Sequence, residues 1–207
     1  MASIQITLSG IEEIARARGF IAPATFIRAQ KAGVRYASRA VPPAVAKGIR
    51  GAYNLSSARI KQDISGIRFA PDGESATIRF SRRPPTLVQF RPTPGTRGRQ
   101  PGLGRGLGWG PASPPGRPLQ ATILRGQRKA YPGVFLATGA NGNQLALRRT
   151  SSGQLQAVYG PSIGSIYAGN SAIGEDLRRT VEQRIQEQYL KGFQRALDAA
   201  ARGYGGR

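Results

Sequence analysis

The chain has no cysteine and no histidine among its 207 residues. Disulfides, thiol catalysis, cysteine- or histidine-ligated zinc and every histidine-dependent triad are therefore excluded. A cysteine-free composition fits synthesis in the cytosol. Acidic residues are also few, 10 Asp plus Glu against 31 Lys plus Arg, for a formal charge of +21. Lysine itself is scarce, confined to Lys31, Lys47, Lys61, Lys129 and Lys191, so the excess is almost all arginine. No stretch approaches the roughly 20 apolar residues of a membrane span. The start, MASIQITLSGIEEIARA, lacks a basic leader and meets Glu12 and Glu13 early, so it is not expected to be a secretory signal.

The shortage of acids is most acute in the middle. From Ser75 to Gly174 there is no carboxylate, while the same stretch holds Arg79, Arg82, Arg83, Arg91, Arg97, Arg99, Arg105, Arg117, Arg125, Arg128, Lys129, Arg148 and Arg149. Charges of one sign repel unless an anion lies nearby. Elsewhere Glu12, Glu13, Asp63, Asp72, Glu74, Glu182 and Glu187 are scattered over helix faces and turns, and Glu175, Asp176 and Asp198 read as helix-start and helix-surface charges. Nothing pairs two acids for general acid–base work, so an enzyme, a catalytic residue, a metal site or a cofactor is not expected.

What is abundant is arginine, glycine and proline. Arginine suits bidentate contact with phosphate or carboxylate, which points to nucleic acid, an anionic membrane or an acidic protein surface. The 91–118 segment, RPTPGTRGRQPGLGRGLGWGPASPPGRP, carries no readable packed element and is expected to be a long insertion loop. Its Gly102-Leu103-Gly104-Arg105-Gly106 lacks the Gly-Lys-Ser/Thr ending of a phosphate-binding loop and the strand-to-helix setting of a dinucleotide fingerprint. Trp109 is suited to stacking on a base, to filling a partner's pocket or to local packing.

Periodicity supplies the elements. Ser3 to Leu8 alternates as a strand, and Ile11 to Arg18 reads as a short helix. Residues 24–40 have helical spacing with Arg28, Lys31, Arg35 and Arg39 facing out, and Pro42-Pro43 should end or kink that helix. Ala44 to Tyr53 continues, and a third piece capped by Asn54 or Ser56 ends near Ile64, completing a basic helical arm. Gly66 to Arg82 reads as a hairpin around Pro71-Asp72-Gly73. Leu87, Val88 and Phe90 extend a strand. Leu119–Leu124, Val134–Ala137, Gln144–Arg149 and Gln154–Tyr159 read as further antiparallel strands, with turns at Ala140–Asn143 and Ser151-Ser152-Gly153.

After Tyr159-Gly160-Pro161 comes a short amphipathic piece, and then the longest periodic helix. Ser171 is its N-cap, Glu175 and Asp176 occupy its first turn, and Ile173, Leu177, Val181, Ile185, Tyr189, Phe193 and Leu197 recur every fourth residue. Thr180, Leu190 and Ala196 fill the adjoining row. At a rise of about 1.5 Å per residue, residues 171–198 span roughly 42 Å. The expected architecture is one α+β domain over 1–207, an antiparallel sheet packed by an N-terminal helical arm and the long C-terminal helix, with 91–118 inserted as an extended loop. The helix stripe is the spine on which the sheet packs; Ile173, Leu177, Val181, Ile185, Tyr189 and Phe193 are also candidates for packing against a second subunit.

In order and motif the chain resembles the phage minor tail protein Z family, the tail completion proteins. The resemblance rests on the basic arm followed by IKQDI, the segments TIRFSRRPPTLVQF and LQATILRGQRKAYPGVFLAT, the hairpin LALRRTSSGQLQAVYGPSI and the terminal amphipathic helix. Its most specific piece is Leu147-Arg148-Arg149 followed by Tyr159-Gly160-Pro161-Ser162-Ile163. The resemblance implies a structural virion protein at the head-proximal end of the tail. Such a protein is assembled in the host cytoplasm and completes the tail and helps join it to the head. The implied partners are other copies in a ring, often six-fold, and the tail terminator, head-completion or connector proteins of the neck. Nonspecific contact with genomic DNA in the channel is compatible with it, and no membrane is involved. The candidate DNA- or partner-contacting residues are the thirteen cations of the carboxylate-free stretch together with Trp109. The alternative, from charge alone, is a sequence-nonspecific nucleic-acid-binding protein of ribosomal or nucleoid type.

Overall fold

The structure is a computed structural model that describes residues 3–6, 21–92, 118–139 and 141–203. The expected helix at Ile11 to Arg18 and residues 93–117 of the expected loop lie outside the described residues. The fold is α+β, with a long helix near each end and antiparallel strands between. The strands form three small sheets rather than one. Pro84-Pro85 and the tight turn at Pro132-Gly133 separate the segments that continuous pairing would need. The contacts of the chain gather into two compact units, one of Met1–Arg50, Ser57–Arg83 and Ser162–Arg207, the other of Gly51–Ser56 and Pro84–Pro161.

In the first unit, β1 (Ser3–Ile6), α1 (Pro23–Ala52), α2 (Ser57–Asp63), β2 (Ile64–Phe69) and β3 (Ala76–Phe80) follow in order. β3 is central, antiparallel to both β1 and β2. Its alternation places Ala76, Ile78 and Phe80 in the core and leaves Arg79 exposed. The hairpin turns at Pro71-Asp72-Gly73, where Asp72 accepts the Glu74 N–H (2.9 Å) and Gly73 takes φ +73°.

Pro42 and Pro43 do not end α1, which runs unbroken from Pro23 to Ala52. Each proline removes one amide donor from the helix, at a cost of up to about 3 kcal/mol. The buried stripe explains why the helix survives. Val34, Val41, Val45 and Ile49 are at most 1% exposed and lie on one face on both sides of the prolines, each contributing about 1.5–3 kcal/mol by burial. Pro43 itself is exposed.

The chain returns to the first unit as α3 (Ile163–Ala168) and α4 (Ala172–Ala201). Ser162 caps α3 by accepting the Ser165 N–H (3.0 Å), and Ser171 caps α4 by accepting the Gly174 N–H (3.1 Å). Arg178 braces the bend between them, donating from Nη1 to the Tyr167 and Gly169 carbonyls at 2.6 and 2.9 Å. α4 packs on α1 through small residues. The Tyr189 ring lies over Gly33, Leu177 against Gly48 and Tyr36 against Gly192. Phe193 meets Phe26 edge-on with centroids 5.7 Å apart. On the sheet side, Phe80 packs on Tyr167 at 5.1 Å.

In the second unit a 3-10 turn (Leu87–Phe90) is followed by β4 (Leu119–Ala121), β5 (Lys129–Tyr131), β6 (Val134–Thr138), β7 (Gln144–Arg149) and β8 (Leu155–Ala157). β4 and β5 form one hairpin, and β6-β7-β8 a meander. Leu87–Phe90 is not the strand that the sequence suggests. Leu87 and Phe90, three apart, are both fully buried, and a 3-10 turn puts residues at that spacing on one side.

Candidate functional site

The second unit contains no carboxylate. Its residues, 51–56 and 84–161, include ten Lys or Arg and neither Asp nor Glu. No internal ion pair is available to any of these cations, so neutralisation has to come from outside the unit. The first unit is different: it holds all ten acids of the chain, and ion pairs such as Arg59–Asp63 (3.0 Å) and Arg184–Glu187 (2.8 Å) form there. Burial raises the Asp63 carboxyl above its usual range, and the Arg59 guanidinium acts to lower it.

Two turns hold most of the described cations of the second unit. The connection between β4 and β5 carries Arg125 and Arg128 and leads into Lys129, all exposed. It is anchored by backbone: Asn54 N–H donates to Ile123 O (2.9 Å), Arg125 N–H to Ala52 O (2.8 Å), and Gln127 N–H to Leu124 O (3.1 Å), with Gly126 at φ +76° making the turn. The second is the end of β7, where Arg148 and Arg149 precede the Thr150–Gln154 turn. Neighbouring strand residues point to opposite faces, so the two guanidiniums leave the sheet on different sides. Arg148 donates to Gln156 Oε1 at 3.4 Å and Arg149 to Gly153 O at 2.9 Å. Both acceptors are neutral, and each bond uses one of five guanidinium donors.

Arg91 stands apart. It follows the 3-10 turn in the left-handed region at φ 49°, and its N–H returns to Val88 O (3.2 Å). Among the described residues it is the one non-glycine with positive φ, a conformation costing about 1–2 kcal/mol.

The segment that supplies this turn is clasped to the end of the meander. Thr86 bridges to Tyr159, Leu87 N–H donates to Val158 O (2.9 Å), and Gly160 N–H donates to Pro85 O (2.9 Å). Gly160 lies against the Phe90 ring. Asn54 Nδ2 donates to Phe90 O at 3.4 Å.

The described members of the fourteen candidate contact residues are divided between the two units. Arg79, Arg82 and Arg83 belong to the first unit, because the chain leaves it at Pro84-Pro85. Arg82 and Arg83 are exposed there, with Arg83 N–H bonded to Ser81 Oγ (3.1 Å). Arg97, Arg99, Arg105, Trp109 and Arg117 lie outside the described residues. The candidate subunit-packing stripe is largely spent inside the first unit. Leu177, Val181, Tyr189 and Phe193 are at most 4% exposed, while Ile173 and Ile185 are half-buried. The glycines of α1 and α4 draw these side chains inward, so four of the six cannot serve a neighbour.

A further basic face lies on α1. The outer face of α1 is basic, with Arg28, Lys31, Arg35 and Arg39 alongside Ala24, Ile27, Ala32 and Tyr36. Ile27 and Tyr36 are 41% and 36% exposed. The helical spacing of the four cations was the available signal. Arg195 lies over the Tyr36 ring, 5.7 Å from its centroid, and donates to its hydroxyl at 3.2 Å.

Among the described residues no helix is long and apolar enough to cross a membrane. Comparison with protein-family models, curated proteins and solved structures finds no match for this chain.

Proposed function

We propose that this chain is a structural, non-enzymatic virion protein at the head-proximal end of a phage tail, where it completes the tail and takes part in head–tail joining. In this reading copies form a ring around the DNA channel. The observation that carries the proposal is the carboxylate-free unit, because it is built from the motifs of the tail completion resemblance. TLVQF, LQATILRGQRKAYPGVFLAT and LALRRTSSGQLQAVYGP all fall within it. In particular, the clasp of Thr86–Phe90 against Val158–Gly160 gives two separate motifs one physical role. Ten cations without an internal partner suit a surface facing phosphate or an acidic neck protein.

The test is deletion in a phage that encodes the chain. Loss of the chain should leave filled heads and uncompleted tails unjoined, and particles with the chain should show it at the neck. Normal joining without it would sink the reading.

The same carboxylate-free unit favours a second reading, a sequence-nonspecific nucleic-acid-binding protein outside a virion. Binding to duplex DNA would weaken with salt at a log–log slope of about 0.9 per phosphate neutralised. Tight binding by the monomer at physiological salt supports this reading. Binding confined to low salt, by an oligomer, supports the neck protein.

A further inference from the structure

We propose that β6 is the strand through which two copies of this chain pair, each β6 lying antiparallel to the β6 of the second copy and centred on Leu136. The inference goes beyond the neck reading and does not rest on it.

Bond directions show which backbone groups are open. Val158 N–H donates to Ala146 O (2.8 Å), so Ala146 turns its backbone groups toward β8. Neighbouring residues of an antiparallel strand turn theirs to opposite sides. Leu145 and Leu147 therefore face β6, where they pair with Ala137 and Phe135. Gly139 N–H donates to Asn143 O (2.8 Å) and continues the same alternation. Val134, Leu136 and Thr138 thus point their N–H and C=O groups away from β7. β6 is an edge of its sheet, and among the described residues nothing bonds to that side.

Exposed strand edges usually carry devices that prevent pairing. β2 has a bulge between Ile64 and Ile67 and exposed Arg68, β5 has exposed Lys129, and the far edge of β8 ends in the clasp with Thr86 and Leu87. β6, with the sequence VFLAT, has no charge, no proline and no bulge. The clasp obstructs β8, which leaves β6 as the edge of this sheet able to receive β6 of another copy. An edge that receives its own copy makes a two-fold contact.

The register about Leu136 is self-complementary. It sets Leu136 beside Leu136, Val134 beside Thr138 and Phe135 beside Ala137 of the second copy. Every pair is uncharged, and the outward groups of residues 134, 136 and 138 form about six backbone bonds. The net charge of +21 opposes association. The nearest cation of the sheet, Arg148, sits opposite Val134 on β7. In the pair its backbone stands roughly 20 Å from that of the second copy, beyond the Debye length of about 8 Å at physiological salt.

The test uses the full chain, which has no cysteine of its own. In the pair the two Leu136 Cα atoms lie about 5.5 Å apart, within disulfide reach. Leu136→Cys should crosslink to a dimer under mild oxidation. Gln144→Cys, exposed on β7, should not, because its copies are roughly 20 Å apart. In sedimentation the wild-type chain should dimerise reversibly, and more tightly as salt rises. Amide exchange at Leu136 should slow with concentration, while exchange at Ala137, bonded within the protomer, stays constant. Thr138→Pro removes an outward donor and no bond to β7, so it should weaken dimerisation about tenfold with the fold intact by circular dichroism. A chain that stays monomeric at all concentrations overturns the pairing. So does a Thr138→Pro variant that associates like wild type, or equal crosslinking at 136 and 144. A ring without the 136 crosslink overturns it too and leaves the neck reading in place, since deletion tests that reading separately.

Discussion

The backbone of Gly33 lies directly beneath the ring of Tyr189. A β-carbon at Gly33 would stand 2.6 Å from Cε2 and 2.7 Å from Cδ2 of that ring, closer than any real methyl approaches. A mid-helix glycine costs about 1 kcal/mol relative to alanine, and here it makes room for an aromatic side chain that is 1% exposed. Gly33→Ala should therefore destabilise the chain, by about 1–3 kcal/mol of overpacking, less the helix propensity regained. Gly51 is the control, since it lies in the same helix with nothing within 4 Å of the added carbon. Gly51→Ala should be neutral or stabilising by up to about 1 kcal/mol. Urea unfolding of the two variants checks the contrast, and equal shifts would contradict it.

The same packing makes Tyr189 a pH reporter. Burial, and then the Glu74 carboxylate, push its phenol up to about 12, against about 10 for a free tyrosine. The folded chain keeps a proton that the unfolded chain releases in that window. The stabilisation is complete below about pH 10 and is lost as pH rises through the folded value. The loss amounts to about 2–3 kcal/mol at its limit. Tyr189→Phe has no such proton, so its stability should fall less steeply above about pH 10. Part of the slope should persist, because burial also raises Tyr167, with Glu182 adding to the shift and Arg178 opposing it. Parallel alkaline profiles for wild type and variant would contradict this assignment.

The prolines of α1 give a prediction of opposite sign. Pro43 sits on the exposed face of a helix that continues past it. Replacing it with alanine restores the amide that bonds the Arg39 carbonyl and removes the ring from that turn. Pro43→Ala should raise stability by about 1–3 kcal/mol. A lower melting temperature would mean that the proline ring makes a stabilising contact the helix needs.

These features show what the sequence alone could and could not convey. Ser171 as N-cap, the Pro71-Asp72-Gly73 turn and the β6–β7–β8 strands were legible, because short-range chemistry determines them. The persistence of α1 through Pro42-Pro43 was not, because burial of Val41, Val45 and Ile49 decides it, and burial is a property of the packed unit. Leu87–Phe90 was ambiguous from its apolar residues alone, since Leu87 and Phe90 fit either an extended strand edge or an i, i+3 turn. For the site, the carboxylate gap was plain from composition. Its division between units was not, because residues 51–56 join 84–161 through distant bonds such as Asn54 to Ile123 and Arg125 to Ala52. The apolar stripe of α4 was read correctly as a stripe. Its inward use depends on Gly33 and Gly48, which lie about 140 residues away in sequence and give no local signal.

The clasp of the second unit supplies the last prediction. A β-carbon at Gly160 would overlap the Phe90 ring, lying 2.5 Å from Cζ. Phe90 is fully buried and its carbonyl accepts from Asn54, so the ring has little freedom to withdraw. Gly160→Ala should then break the register between Pro85 and Gly160, including the 2.9 Å bond between Gly160 N–H and Pro85 O. The expected cost is about 1–3 kcal/mol, felt first as faster hydrogen exchange at Leu87 and Gly160. Phe90→Leu in the same chain removes the edge of the ring that the methyl strikes. The double variant should recover part of the loss, whereas additive losses would show that Gly160 is required for its backbone alone.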